Sequence, residues 1–338
     1  MRKLFGSAYM DHYQMLRAVS RTFALSIEQL PPVLREAVTT AYLMFRVADC
    51  LEDHDAMDAQ RKADMLRLWA RIVTGESVPS ELTGSIMDLD GSDPETYVAQ
   101  HADAVITQLH RLPDGLREIL ICHVRDTSLG MARWQEHGSF VADEEEMDDY
   151  MHQVAGRVGY LLTDVFSWYS PAIHNCKERL MPLGREFGLA LQTVNIIRGM
   201  PRDYERGWVF VPVSFFEKAG LTREGMFDPA NRQKALAVVN MVAEKAQRHL
   251  EKGLCYIQLL PRRQNRIRLF CIWPLLFAVK TLAISRSNVN VLTDEVKITR
   301  SKVKQIVFSS KLFSWSNLCI AAYYRSLSRP EEHAEKHR

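Results

Sequence analysis

An all-α protein is predicted by three features of this 338-residue chain. Apolar residues recur every three or four positions over most of its length, β-hairpin signals are sparse, and the breaks between periodic stretches are rich in Pro, Gly and Ser. No internal repeat of solenoid length is present.

Taken in order, Leu16, Val19, Phe23 and Ile27 share one helical face, and Ala37 to Leu51 and Met65 to Ile72 continue the pattern. Connections are expected at Leu30-Pro31-Pro32, over 75–94, at Leu112-Pro113-Asp114-Gly115 and at His137-Gly138-Ser139. Val209-Phe210-Val211-Pro212 reads as an extended patch. Helices resume over 231–260 and 266–285, and 303–327 closes the fold. One domain over 1–328 is expected, with a disordered tail at 329–338.

Charged residues make up 25% and hydrophobic residues 47%, the balance of a globular chain rather than a disordered one. A formal net charge of +2 gives no basis for a nucleic-acid partner. The six cysteines are scattered, without C-x-x-C pairs or zinc spacing, which predicts a reduced, cytoplasmic protein. Asp11 arrives before any leader-like apolar run, so secretion is not expected, and stretches such as 270–279 are too short to span a bilayer. Peripheral membrane contact stays open. Phe308, Leu312, Phe313, Trp315 and Ile320 form an apolar stripe that either meets a membrane or packs into the fold.

The first chemically loaded segment is Tyr42 to Asp53. At about 100° per residue, Tyr42, Arg46, Asp49, Glu52 and Asp53 fall within a sector of roughly 120°. Clustered carboxylates repel one another and resist burial unless cations offset them. Mg2+ takes hard oxygen ligands, usually one or two carboxylates with water and substrate phosphate, so Asp49, Glu52 and Asp53 point to a metal-bridged diphosphate. The structural alternative is a solvated acidic face closed by Arg46.

A second segment runs from Gln192 to Gly207. Gln192, Asn195 and Gly199 share a side, which lets an amide oxygen and a later acid join a metal or diphosphate shell. Arg198, Arg202 and Arg206 offer forked donors for phosphate, or form a solvated basic face. Pro201 removes the helix bond to Ile197 and is expected to kink or end the helix. Between the two segments, Ala155, Gly156 and Gly159 allow close helix approach or room for a bulky ligand, and Tyr150 either faces that space as a proton donor or is a satisfied core tyrosine. His152 lacks a second ligand at metal spacing.

Together these stretches resemble the squalene/phytoene synthase family, the head-to-head prenyl diphosphate condensing enzymes. Ser20-Arg21-Thr22-Phe23 is similar to the family's early S-R-[ST]-F, Tyr42 through Asp53 to its first aspartate-rich motif, and Tyr150 through Gly159 to its Y-x-x-x-V-A-G-x-V-G segment. Gln192 through Arg198 resembles the opening of the second motif, and Phe270 through Pro274 an element of the squalene-forming branch.

The resemblance implies an all-α isoprenoid synthase bundle around an apolar cavity, condensing two farnesyl diphosphates through presqualene diphosphate to squalene with Mg2+ and NADPH. Asp49, Glu52, Asp53, Asn195 and Asp203 would hold Mg2+. Ser20, Arg21, Arg46, Gln192, Arg198 and Arg206 would grip diphosphate, Tyr42 and Tyr150 would assist proton removal and diphosphate departure, and Phe270 would line the chain site with Phe45, Phe187 and Leu191. The loop 294–302 is similar to one that meets cofactor phosphates, giving Lys297 and Arg300 that role. One departure stands out: the acid expected after Asn195-Ile196-Ile197-Arg198 is Gly199. Non-reducing relatives that make presqualene diphosphate, hydroxysqualene, dehydrosqualene or phytoene, and a non-catalytic helical scaffold, are the alternatives.

Overall fold

A computed structural model describes residues 10–329, apart from the side chain of Arg21; the expected tail falls outside them except for Arg329. Among the described residues there is no strand. The chain groups into two compact units that meet in sequence between Glu136 and His137.

The first unit contains α1 (His12–Val19), α2 (Arg21–Ile27), α3 (Pro32–Asp53), α4 (Ala59–Thr74), α5 (Pro79–Ser85), α6 (Pro94–Gln100), α7 (Ala102–Arg111) and α8 (Asp114–His137). The continuous pattern from Leu16 to Ile27 is two helices. Ser20 is extended and its hydroxyl accepts from Phe23 N at 3.2 Å, so it stops α1 and caps α2. α3 opens on Pro32, whose missing N–H is harmless at a helix start. Its buried face, including Leu34, Leu43, Met44, Val47 and Leu51, packs against α1, α4, α6 and α7, and Trp69 Nε1 donates to Met44 O at 3.2 Å. The span 75–94, expected as connection, holds α5: Pro79 at its start and Glu81 in its first turn outweigh the Gly and Ser content.

The second unit contains α9 (Glu144–Met151), a π turn (His152–Gly156), α10 (Arg157–Tyr169), α11 (Pro171–His174), α12 (Lys177–Glu205), α13 (Val213–Ala219), α14 (Arg232–Leu259), α15 (Asn265–Ser285), α16 (Arg300–Phe313) and α17 (Asn317–Leu327). α12 is its axis, packed against α10, α14 and α15. Pro201 does not end α12, which runs on to Glu205, because the loss is one donor near the end of a helix anchored by buried Ile196, Ile197 and Met200. The run 303–327 is broken at Ser314–Ser316, where Ser316 caps α17.

α15 is 21 residues long, longer than the apolar runs in the sequence suggested, and by length and composition could cross a membrane; nearly nine-tenths of its apolar window is buried inside the protein. The basic run before it divides: Arg262, Arg263 and Arg266 are exposed, while Arg268 is fully buried. All six cysteines are free thiols.

The small residues after Tyr150 serve helix approach. A Cβ on Gly159 would collide with the Gly184 carbonyl, and one on Gly188 with the Ala155 carbonyl, so α10 and the π turn lie against α12 backbone to backbone. Gly159→Ala is expected to destabilise the second unit by about 1–3 kcal/mol, because rigid backbone must move. Urea denaturation checks this, and an unchanged midpoint would mean that the crossing is looser than described.

Candidate active site

In the first unit the partly open stripe of α3 carries Tyr42, Phe45, Arg46, Asp49 and Asp53. Arg46 organises it. Its Nε and Nη2 donate to the Tyr42 hydroxyl at 3.1 and 3.0 Å, and its Nη1 lies 3.2 Å from Asp49 Oδ2 and 3.1 Å from Glu95 Oε1. Ser20, besides capping α2, is a hydrogen-bond partner of the Tyr42 phenol. Burial holds that phenol above its ordinary range despite Arg46, so it remains a proton donor at neutral pH.

Arg46 is shared between two carboxylates, Asp49 and Glu95. The Asp49 side chain is 29% exposed, and burial, with Asp53 and Glu95 nearby, pushes its pKa up to about 7 against the pull of Arg46. Burial also raises Glu95, again opposed by Arg46. Glu52, at 8% exposure, lies on the buried flank of the stripe. Among the described residues no three His, Cys, Asp or Glu side chains converge as a ready-made metal cage. A Mg2+ shared with a diphosphate needs only one or two carboxylates, and the hard oxygen donors of Asp49 and Glu95, which share a single guanidinium, fit that ion. Glu95 escaped sequence reasoning because it is brought in by α6, 49 positions from Arg46.

In the second unit Asn195 is exposed on α12, with Gln192, Arg198, Asp203 and Arg206 partly open. A Cβ at Gly199 would stand 3.4 Å from Asp203 Oδ2, so the Asp203 carboxylate lies over the site of the missing acid. Arg198 Nε is 2.8 Å from Glu295 Oε1, and Glu295 also pairs with Lys297. The loop 294–302 is thereby tied to the second motif; Arg300 begins α16 and is exposed.

Tyr150 is buried and stacks on Phe210, ring centroids 4.2 Å apart, and Phe210 stacks on Trp208. The extended patch after α12 therefore supplies the wall for Tyr150. Phe270 is buried edge-on against Phe166, and Phe187 packs near Tyr256.

The helix that carries Tyr150 is fixed by charge. Lys245, buried on α14, lies 2.7 Å from Asp148 Oδ1, while His249 Nδ1 meets Glu186 Oε2 at 2.7 Å and its Nε2 stands 3.5 Å from Asp148. Burial would lower His249, but its bonds to Asp148 and Glu186 prevail and raise it. Asp148 is lowered because His249 and Lys245 outweigh burial, and Glu186 is lowered first by His249. The His249 contribution is complete below its ordinary value of 6.5 and is lost as pH rises through the raised value. The carboxylate contributions hold above their ordinary 3.8 and 4.5 and are lost as pH falls through the lowered values. We expect the thermal midpoint to be higher near pH 6 than at about pH 8.5, and His249→Gln to reduce that difference. Identical pH profiles for the two proteins would remove His249 from this role.

A family model described as squalene/phytoene synthase matches residues 16–302. The squalene synthase of Schizosaccharomyces pombe is 28% identical over 312 residues, covering 91% of this chain and 65% of its own. The probable squalene synthase of Neurospora crassa is 30% identical over 307 residues, covering 88% and 61%. The chain thus spans 61% to 65% of the length of these two relatives. Among solved structures, TcSQS in complex with a ligand superposes with a TM-score of 0.80 at 25% identity, over 94% of this chain and 90% of that one. A dehydrosqualene synthase shares the fold at a TM-score of 0.61 and 18% identity, over 89% and 94%. The all-α fold agrees, and with the matched region reaching from α1 to α16 the chain belongs to the squalene/phytoene synthase family.

Proposed function

We propose that the protein is a prenyltransferase that joins two farnesyl diphosphates head to head into presqualene diphosphate and, with NADPH, converts this to squalene. The observation that carries the reading is the group of Ser20, Tyr42, Arg46, Asp49 and Glu95, in which phosphate donors adjoin carboxylates that share a single guanidinium.

Arg46 and Ser20 present donors to diphosphate oxygens, with Arg21 as their neighbour in sequence, and the protonated Tyr42 phenol adds another. Asp49, Glu52 and Asp53 would hold Mg2+ from α3, Glu52 from its buried flank; Asn195 and Asp203 are the candidates on α12, beside the phosphate donors Gln192, Arg198 and Arg206. Bound Mg2+ neutralises the leaving diphosphate. Tyr150, stacked on Phe210, would with Tyr42 assist proton removal and diphosphate departure, and Phe270, Phe187 and Leu191 would supply apolar surface. Lys297 and Arg300 would meet the phosphates of NADPH, which would supply hydride for the reductive step.

Incubation with farnesyl diphosphate and Mg2+, with and without NADPH, followed by mass spectrometry of extracted products, tests the reading. Squalene that requires NADPH supports it; no diphosphate release rejects it and reopens both the prenyl chain length and the scaffold reading. Gly199 favours a second reading, a non-reducing relative yielding presqualene diphosphate, hydroxysqualene or dehydrosqualene, or phytoene from the longer geranylgeranyl chains. Gly199→Asp, which adds a carboxylate beside Asp203, is expected to lower the Mg2+ needed for half-maximal rate several-fold. An unchanged Mg2+ dependence removes position 199 from the ligand set.

A further inference from the structure

We propose that one end of the second unit is a docking surface for an anionic phospholipid bilayer, formed by Phe308 and Leu312 of α16, Trp315, Leu318 of α17 and the basic loop at Arg262 and Arg263. These four apolar side chains are 69%, 66%, 59% and 84% exposed. Phe308, Leu312 and Trp315 follow one another at four and three residues, so they continue a single outward ridge while Ile306 and Ser310 face inward. A cluster of this size and exposure marks an interaction site rather than ordinary surface scatter.

Hydrogen bonds bring further residues to the same end. Ser314 Oγ is 2.6 Å from Asn265 Oδ1, and Gln264 Nε2 donates to Ser170 Oγ at 2.9 Å. The loop bearing exposed Arg262 and Arg263, and the end of α10 with partly exposed Trp168 and Tyr169, are thereby held beside the turn at Trp315. Tryptophan and tyrosine are favoured at the headgroup level of a bilayer, where an apolar ring and a polar edge are both satisfied.

Charge selects the partner. From residue 260 to residue 329 the chain carries thirteen lysines and arginines against two acids, Asp294 and Glu295, although the whole chain is only +2; Arg268 and Lys280 are buried, and Arg262, Arg263 and Arg266 are exposed on the loop and the start of α15. Lys304 and Lys311 are exposed on α16 within one turn of Phe308. Two copies of this face would oppose cation to cation, which disfavours self-association, whereas anionic lipid headgroups attract the exposed Arg262, Arg263, Lys304 and Lys311 while the ridge enters the interface. The surface is independent of the catalytic reading.

Co-sedimentation of the full chain with vesicles of phosphatidylcholine and phosphatidylglycerol, against phosphatidylcholine alone, tests it. Binding to the anionic vesicles, weakened by salt, is expected, and it should fall at least about tenfold in Phe308→Ser/Leu312→Ser/Trp315→Ser and in Lys304→Glu/Arg263→Glu. The charge-reversal variant changes exposed residues only, so it carries the test if the apolar variant fails to fold. No binding to anionic vesicles overturns the proposal, as does equal binding by the folded variants. Light scattering that shows a dimer abolished by the same substitutions, without vesicle binding, overturns it in favour of a second copy.

Discussion

Asp49→Asn is expected to cut diphosphate release from farnesyl diphosphate at least about a hundredfold while raising, not lowering, the stability of the protein without Mg2+. Both effects follow from one fact: ionisation of the Asp49 carboxylate runs against the preference of its surroundings. Burial, Asp53 and Glu95 hold its pKa at about 7, against an ordinary 3.8. An acid raised in this way binds its proton more tightly when folded, so ionising it takes away stability as pH climbs from the unfolded value through the folded one. At neutral pH and above, an uncharged asparagine escapes most of that penalty, on the order of 2 kcal/mol, and its side-chain oxygen can still accept from Arg46. The same charge is what a Mg2+-diphosphate pair would use, so the substitution should raise the thermal midpoint and weaken Mg2+ dependence together. Asp53→Asn should follow it in activity with a smaller gain in stability, because Asp53 is exposed. Wild-type turnover in Asp49→Asn would dismiss the α3 metal face; lost turnover with lost stability would mean that Asp49 holds the fold rather than the substrate.

What the sequence could and could not reveal divides along the range of the interactions. Tyr42, Arg46, Asp49 and Asp53 are neighbours on one helix, so their common face follows from the α-helical period alone. Glu95 joins the group only because α6 packs on α3, and no spacing rule links positions 46 and 95. The pairing of Arg198 with Glu295 and the stacking of Tyr150 on Phe210 are equally long-range and were equally hidden. Among the elements, α3, α14 and α15 are long enough for periodicity to dominate, whereas α5 has seven residues and its starting signals were lost among Gly and Ser. The break at Ser20 rests on a single cap bond, and the π turn after Tyr150 has no compositional signature to distinguish it from ordinary helix. Pro201 was weighed by its local defect, while the buried residues around it kept α12 intact. Arg268 shows the same limit: nothing in the run Arg262-Arg263-Gln264-Asn265-Arg266-Ile267-Arg268 sets it apart from its neighbours, yet it is fully buried while Arg262, Arg263 and Arg266 are exposed.

Arg268→Met is therefore expected to be among the most damaging substitutions in the second unit, at about 3–5 kcal/mol. The guanidinium has no carboxylate partner in its main contacts. Its Nη1 donates to Ile257 O at 2.7 Å and Leu260 O at 2.8 Å, its Nε to Ser314 O at 2.8 Å, and its Nη2 to Asn317 Oδ1 at 2.6 Å. Two of these acceptors belong to the carbonyl end of α14, where helix dipoles favour a cation, and the other two lie at the junction of α16 and α17. Burial lowers the group to about 10, which leaves it charged at working pH. Methionine would fill similar space but leave carbonyls without donors in a dry site, and that penalty, rather than the lost attraction, sets the size of the effect. Lysine should recover only part of it, since one ammonium cannot reproduce a planar fork that reaches both helix ends. The damage should be local first: hydrogen exchange in α16 and α17 should accelerate more than in α12, because the side-chain bonds that still tie α15 to α16 are neutral ones, Trp273 Nε1 to Ser310 Oγ at 2.9 Å and Ser314 Oγ to Asn265 Oδ1 at 2.6 Å. If both substitutions leave the urea midpoint and the exchange of α16 and α17 unchanged, Arg268 is not what joins them to α14. If exchange rises there alone, vesicle binding should weaken in proportion, since Phe308, Leu312, Trp315 and Leu318 present a common surface only while that junction is closed.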